Sequence, residues 1–366
     1  MTYRVAINGF GRIGRNVLRA GLHRGLLEDG VEIVAVNDLW PVPALAELLR
    51  WDSTFGRPPA EVDVVDGGLS VAGHRIPVSA ERDPARLPWT ELDVDLVIES
   101  TGRFRTRAAA AAHLQAGADK VLISAPGKGV DATVVLGVSD DLGVDPRCEI
   151  VSAASCTTNC VAPMIDVLHR GFGVRHGFLT TVHAYTNDQS LLDGPHKDPR
   201  RARSAAVNMI PTSTGAAKAV GEVIPALAGR LGGVAVRVPV ENGSITDLTV
   251  QLERDVSVRE VNEAFEQAAH LRLSGILRCS HDPLVSRDVI GDSVSCIVDS
   301  ALTQVDGDLV KVFGWYDNEW GYTNRLLDLV EIYADVLDEP RLGTETEPLE
   351  TAEAPEAPEA EAAAQS

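Results

Sequence analysis

The chain has 366 residues, 45% of them apolar and 23% charged, with a formal net charge of -20 at pH 7. Such a length accommodates two domains with separate cores, and the acidic balance argues against nucleic acid or an anionic membrane as the main partner, while leaving room for a local basic patch for a small phosphate. Five cysteines without framework spacing point to a reducing compartment, and no run reaches the roughly eighteen apolar residues of a membrane span. With no charged-then-apolar signal-peptide plan at the N-terminus, the expected location is cytoplasmic.

Tyr3 to Asn8 is an apolar strand that runs into Gly9-Phe10-Gly11-Arg12-Ile13-Gly14, after which Val17, Leu18 and Leu22 form a helical stripe. Glycines at this spacing, between a strand and a helix, allow a tight turn, admit a pyrophosphate close to the backbone, and face it with a helix N-terminus. The next strand, Val31 to Val36, ends in Asn37-Asp38. A carboxylate at Asp38 accepts from the ribose hydroxyls of an adenosine and repels a 2′-phosphate, so NAD is expected over NADP.

Pro41 to Arg50 reads as a short helix, and Val62 to Val78 as β-type segments around glycine turns. Asp95 to Glu99 is a buried-type strand stopping at Ser100-Thr101-Gly102, Thr106 caps a helix over Arg107 to Ala116, and Lys120 to Ile123 is a strand ending in Ser124. The alternation predicts a doubly wound parallel α/β sheet over about the first 150 residues. Cys148 reads as structural.

Glu149 to Val151 is a short strand, and Val161, Ile165 and Leu168 recur at helical spacing, so Cys156 falls near a helix N-terminus, where a thiolate is favoured. A lone cysteine is more often structural. Its base is sought in Thr180 to Tyr185, a strand end bearing His183, which can draw the thiol proton and later serve as general acid or base. Beyond it, the segments Gly177 to Tyr185, Val234 to Val240, Ser244 to Leu252, Val294 to Ser300 and Leu309 to Tyr316 alternate apolar and polar residues. With helical stripes at Val258 to Ala269 and Asn318 to Leu337, they predict a second, α+β domain with a mixed or antiparallel sheet. The polar stretch from Asn187 to Asn208 is long for a loop that binds nothing. Thr214-Gly215 before a helix start makes an anion nest, and Arg237 offers a forked donor to phosphate.

Asn8 to Arg15, Ser155 to Cys160, His183 to Gln189, Pro211 to Val220, Arg237 to Pro239 with Asn242 to Thr246, and Trp315 to Gly321 together resemble phosphorylating glyceraldehyde-3-phosphate dehydrogenases of the bacterial NAD type. The resemblance runs in order from about Tyr3 to Ala334. It implies an NAD-binding domain over residues 1–155, a catalytic domain over 156–317, and a C-terminal helix over 318–337 packed back on the first domain. It further implies oxidation of glyceraldehyde 3-phosphate to 1,3-bisphosphoglycerate through a thiohemiacetal and a thioester on Cys156, with His183 as base. Thr186 and Arg237 would hold the substrate phosphate, and Ser155, Thr157, Thr214, Gly215 and Arg200 the attacking phosphate. Besides Gly9, Gly11 and Gly14, the cofactor would meet Arg12, Ile13, Asp38, Arg82, Thr101, Ser124 and Asn318. Leu39 and Pro195 match the NAD-preferring pattern, and a homotetramer is implied.

Ala153, Ser139 and Gly127 depart from the family's usual residues. Cys160, one turn after Cys156, reads as structural, and no second pair at metal-ligand spacing supports a zinc site. Erythrose-4-phosphate dehydrogenase is the second reading, and a non-catalytic binding protein on the same fold the third. The acidic, low-complexity stretch from 338 to 366 reads as a disordered tail.

Overall fold

The computed structural model describes residues 2–338 apart from 29, 144 and 146; the acidic stretch read above as a tail lies, from residue 339 on, outside the described residues. Strand β1 (Tyr3–Asn8) leads into helix α1 (Arg12–Arg24), followed by β2 (Val31–Asn37), α2 (Val42–Arg50), β3 (Val62–Val65), β4 (Gly68–Val71) and β5 (His74–Ser79). Then come β6 (Leu96–Glu99), α3 (Arg107–Gln115), β7 (Lys120–Ile123), β8 (Ala132–Thr133), α4 (Asp140–Gly143) and β9 (Ile150–Ser152). These strands form one nine-stranded sheet in the order β3-β4-β5-β2-β1-β6-β7-β9-β8. Its centre is parallel: β1 pairs with β2 on one side and β6 on the other, and β7 and β9 extend it. The C-terminal ends of β1, β2 and β6 therefore deliver Asn8, Asn37 and Glu99 to one rim, where such sheets bind ligands.

One flank departs from the parallel pattern. β3, β4 and β5 pair antiparallel because the turns between them hold only Asp66-Gly67 and Ala72-Gly73, too short for a crossover. Gly67 and Gly73 have φ of +68° and +82°, and Ala72 one of +52°, the left-handed geometry that tight hairpins demand.

After α5 (Cys156–Phe172) the chain forms β10 (Val174–Ala184), β11 (Ile210–Ser213), α6 (Ala216–Val223), β12 (Leu231–Val238), β13 (Ser244–Leu252) and α7 (Val258–His270). It continues through β14 (Leu277–Ser280), β15 (Cys296–Asp299), β16 (Gln304–Asp306) and β17 (Leu309–Tyr316) to α8 (Trp320–Asp338). The second sheet runs β11-β12-β10-β13-β17-β15-β14 and is mixed: β10 is parallel to β12 and antiparallel to β13. Along β13 buried and half-buried residues alternate, the mark of a strand with one covered face. The cover is apolar helix surface, with Val161, Ile165 and Leu168 of α5 and Phe265 of α7 in one core with Leu248 and Val250.

Helix α8 returns to the first sheet, where Tyr322, Leu326, Val330 and Tyr333 join the core of Val5, Ile7 and Leu18. It begins at Trp320 rather than at Asn318, because the Asp317 carboxylate accepts from the N–H groups of Glu319 and Trp320, both at 2.8 Å, and caps it. Asn318 is thereby left in the turn that leads into the helix.

Close packing beneath α5 makes one glycine indispensable. A Cβ on Gly314 of β17 would stand 2.8 Å from Cys296 Sγ and 3.0 Å from Cys160 Sγ. Gly314→Ala is expected to lower stability by about 1–3 kcal/mol through overpacking, read as a fall in the urea midpoint at unchanged slope.

Candidate active site

The thiol is placed by a sharp turn. β9 ends at Ser152, Ala154 takes a left-handed φ of +56°, and Cys156 is the first residue of α5. For a residue with a Cβ that conformation costs on the order of 1–3 kcal/mol and persists only where the surroundings fix it. Here Tyr322 Oη donates to Ala154 O at 3.1 Å, and Asn159 Nδ2 donates to the carbonyls of Ala153 and Ser155 at 2.9 and 3.0 Å. Ser155 Oγ accepts from Thr158 N–H at 3.1 Å and caps the helix. The Ala153 side chain is buried in the core of the first sheet.

His183 lies near the end of β10, with Nε2 3.5 Å from Cys156 Sγ. The parallel register pairs it with Arg237 on β12. Arg237 Nη1 lies 2.8 Å from both His183 Nδ1 and Ala184 O, and Nδ1 lies 2.7 Å from that same carbonyl. Nδ1 cannot at once donate to the carbonyl and accept from the guanidinium. If its proton goes to Ala184 O, Arg237 shares the carbonyl, and Nε2 turns a lone pair to the thiol. That is the tautomer a base requires.

Burial pushes the Cys156 thiol up, and with the Arg237 charge and the N–H and hydroxyl of Thr157 pulling it back the thiol stands at about 11. Burial first, and then the charges of Arg237 and Arg201, together push the His183 imidazole down to about 3. Neutral thiol beside neutral imidazole is thus the resting pair, with the positive end of α5 and Arg237 the groups that favour the thiolate.

The other residues singled out by sequence divide by whether their groups are free. Gly9, at φ +94°, backs onto the neighbouring strand end, since a Cβ there would lie 2.6 Å from Thr101 N. Gly14 packs against the carbonyl of Gly9, whereas at Gly11 nothing stands within 4 Å of a Cβ position, which leaves room for a pyrophosphate above the first N–H groups of α1. Arg12 and Ile13 open that helix, but the Arg12 guanidinium is held by Asp52 and Glu319, so its backbone N–H is what it offers a phosphate. Asp38 is fixed through N–H groups of Phe10 and Trp40 at 2.8 and 3.1 Å, and Arg82 is exposed. Thr101 binds Glu99, and Ser124 Oγ donates to Glu99 O at 3.0 Å. Asn318 Oδ1 accepts from Ser244 Oγ at 2.7 Å, which leaves its Nδ2 to donate to a carbonyl or amide oxygen.

On the phosphate side, Thr186 is half-buried just beyond β10, and Thr214 and Gly215 stand at the start of α6, where Thr214 Oγ1 accepts from Ala216 N–H at 3.2 Å. The Ser155 hydroxyl is shared with Thr158, and the buried Thr157 hydroxyl lies 2.9 Å from Tyr316 Oη, so it faces the second sheet. Arg200 is exposed on the loop. The next residue, Arg201, is the one drawn inward: it pairs with Asp188, donates from Nε to Thr212 Oγ1 at 2.9 Å, and its charge is felt at His183 and Arg237. In sequence the doublet gave no sign of which arginine turns inward.

Residues 3–107 match the NAD binding domain of glyceraldehyde 3-phosphate dehydrogenase, and residues 155–318 match its C-terminal domain. The chain belongs to the glyceraldehyde-3-phosphate dehydrogenase family. It is 55% identical over 337 residues to glyceraldehyde-3-phosphate dehydrogenase 2 of Streptomyces arenae, covering 92% of this chain and 100% of that protein. It is also 55% identical to the Geobacillus stearothermophilus enzyme over 336 residues, 91% of this chain and 99% of the relative, and 56% identical to that of Pseudomonas aeruginosa over 328 residues, 90% and 97%. In this glyceraldehyde-3-phosphate dehydrogenase the side chains or backbone at the positions singled out as departures are engaged within the first domain. Ser139 is buried and its hydroxyl accepts from Val135 N–H at 3.1 Å, while Gly127 N–H donates to Ser152 Oγ at 3.0 Å.

Two measurements follow from this geometry. Arg201→Ala is expected to raise the Michaelis constant for phosphate or lower turnover by about tenfold or more, the scale of one charged hydrogen bond, whereas Arg200→Ala leaves both within twofold. Steady-state titration of phosphate for the two variants decides it, and equal effects would sink the assignment. Because Arg237 holds the Cys156 thiol down, Arg237→Leu should move the pH profile of iodoacetamide alkylation at Cys156 to higher pH; an unmoved profile counts against the charge effect.

Proposed function

We propose that this chain oxidises D-glyceraldehyde 3-phosphate to 1,3-bisphosphoglycerate, with NAD as acceptor and inorganic phosphate as co-substrate. The observation that carries the reading is Cys156 Sγ at the start of α5, 3.5 Å from His183 Nε2, with Arg237 behind the imidazole. His183 Nε2 takes the thiol proton, the sulfur bonds to the aldehyde carbon, and the carbonyl oxygen becomes the oxyanion of a thiohemiacetal. The Cys156 N–H and the imidazolium stabilise that oxygen. NAD, when bound, accepts the hydride from that carbon. Before that transfer the imidazolium returns its proton to the oxyanion. His183 Nε2 takes this hydroxyl proton back as the carbon gives up the hydride and the thioester forms, and a phosphate oxygen then displaces the sulfur, which leaves as the Cys156 thiolate, to give the acyl phosphate.

Thr186 and Arg237 are assigned to the phosphate of the substrate. Ser155, Thr157, Thr214 and Gly215 are assigned to the attacking phosphate, together with Arg201 in place of Arg200. Since Ser155 and Thr157 have their hydroxyls engaged, the backbone N–H groups of the helix start are the donors they contribute. Gly9, Gly11, Gly14, Arg12, Ile13, Asp38, Arg82, Thr101 and Ser124 would line the dinucleotide, and Asn318 Nδ2 would meet the carboxamide. The reading includes an NAD-binding part over 1–155 carrying α8 and a catalytic part over 156–317, in the cytoplasm, with neither nucleic acid nor membrane as partner.

Cys156→Ser should abolish phosphate-dependent NADH formation, and His183→Asn should lower kcat by about 10²- to 10⁴-fold, the usual contribution of a general base. Activity surviving Cys156→Ser, or equal efficiency with NADP in the same assay, would overturn the corresponding part of the proposal. Erythrose 4-phosphate as the better substrate would favour the second reading.

A homotetramer is also proposed. Leu191, Leu192, Val207 and Met209 in the loop after β10 are each 72–75% exposed, an apolar surface that a second copy would cover. Light scattering of the full chain checks this, and a monomer at micromolar concentration would refute it.

A further inference from the structure

At the buried end of β6 lies a carboxylate for which the reaction above has no use. The side chains of Glu99 and His113 have no exposed area and meet at 3.2 Å, Nε2 to Oε2. Whether this is an ion pair follows from neighbours whose polarity is fixed. Trp89 Nε1, an obligate donor, lies 3.0 Å from His113 Nδ1. Nδ1 must accept, the ring proton sits on Nε2, and the imidazole is neutral.

A second chain of fixed directions reaches the same carboxylate. The backbone N–H of Glu81 donates to Asn37 Oδ1 at 2.9 Å, which turns Asn37 Nδ2 to Asn8 Oδ1 at 2.7 Å. Asn8 Nδ2 is thereby turned to Glu99 Oε2 at 2.6 Å. On the other oxygen, the Thr101 N–H donates to Oε1 at 2.8 Å and the Thr101 hydroxyl joins it, while that hydroxyl accepts from Arg103 N–H at 3.0 Å. The imidazole, the Asn8 amide and the Thr101 N–H are all donors to Glu99, and no cation is among its partners. A carboxylate so surrounded keeps its charge out of water because hydrogen bonds, rather than a counter-ion, stabilise it.

Its position gives the charge a consequence. Asn8 directly precedes the glycine turn, and Gly9 is pressed on Thr101, so the carboxylate lies behind the turn that would cradle the pyrophosphate. The reduced dinucleotide carries one more negative charge than the oxidised one. We infer that Glu99 is a positioning residue whose uncompensated negative charge biases this site toward the oxidised, less negative form of the cofactor. The inference rests on the NAD reading of the glycine turn and extends it to the redox state that the turn prefers.

Calorimetric titration of the full chain with NAD⁺ and with NADH separates a charge effect from a merely structural one. In the wild type NAD⁺ is expected to bind more tightly than NADH. Glu99→Gln, which removes the charge, is expected to shrink the ratio of the two dissociation constants by about threefold or more, the scale of a unit charge acting through a partly screened interior. Glu99→Asp, which keeps the charge at altered geometry, is expected to weaken both ligands and preserve the ratio. If Glu99→Gln weakens both equally, the residue is structural and the inference falls. Should Glu99→Gln fail to fold, the wild type decides: NADH bound as tightly as NAD⁺ overturns the inference. Failure of the wild type to bind either form would overturn the cofactor reading itself.

Discussion

The cleft depends on how α5 begins. A left-handed Ala154 between β9 and the helix is costly, and the turn is held from three directions: by Tyr322 of α8, by Asn159 one turn ahead, and by the Ser155 cap. Each belongs to a different scale of the structure, a distant helix, the local helix and the adjacent residue. Together they put a thiol at the positive end of a helix whose apolar face is pressed on the second sheet while its first residue borders the first. The Cys156 thiol therefore stands where the two sheets meet. Loss of any one of these bonds would be felt as misplacement of Cys156 before it was felt as loss of fold.

The electrostatics of the pair are a contest between burial and fixed charge. Withdrawal from water opposes both a thiolate and an imidazolium, and Arg237 helps the first while hindering the second. Between these opposing influences the thiol and the imidazole both rest uncharged. The strand register of β10 and β12 decides that Arg237 is the residue standing there, so a backbone alignment sets the reactivity of a side chain on a third element.

Much of this was legible in the sequence, and the limits were physical. The glycine turn could be read because Gly9 takes a positive φ and Gly14 a close approach that a Cβ would block, and the places of Cys156 and His183 because strand and helix periodicities put each at an element's end. Directions were not legible. Thr157 was expected at the attacking phosphate, and its hydroxyl lies in addition on Tyr316, a contact across 159 positions. Arg201 rather than Arg200 turns inward because Asp188 and Thr212 capture it, and loop register is invisible to periodicity. The antiparallel flank of the first sheet and the start of α8 likewise follow from turn lengths and one capping aspartate that propensity alone does not rank.

Arg12 shows what the fold does with a charge that sequence had assigned to the cofactor. Its guanidinium ties the first turn of α1 to Asp52 and to Glu319, the residue after Asn318. The helix start that would receive the pyrophosphate and the amide that would meet the nicotinamide are thus joined by a single strut. Their separation behaves as a gauge: a dinucleotide must span a distance that the protein sets before the ligand arrives, and a molecule carrying only one of its two ends would meet half of the measure.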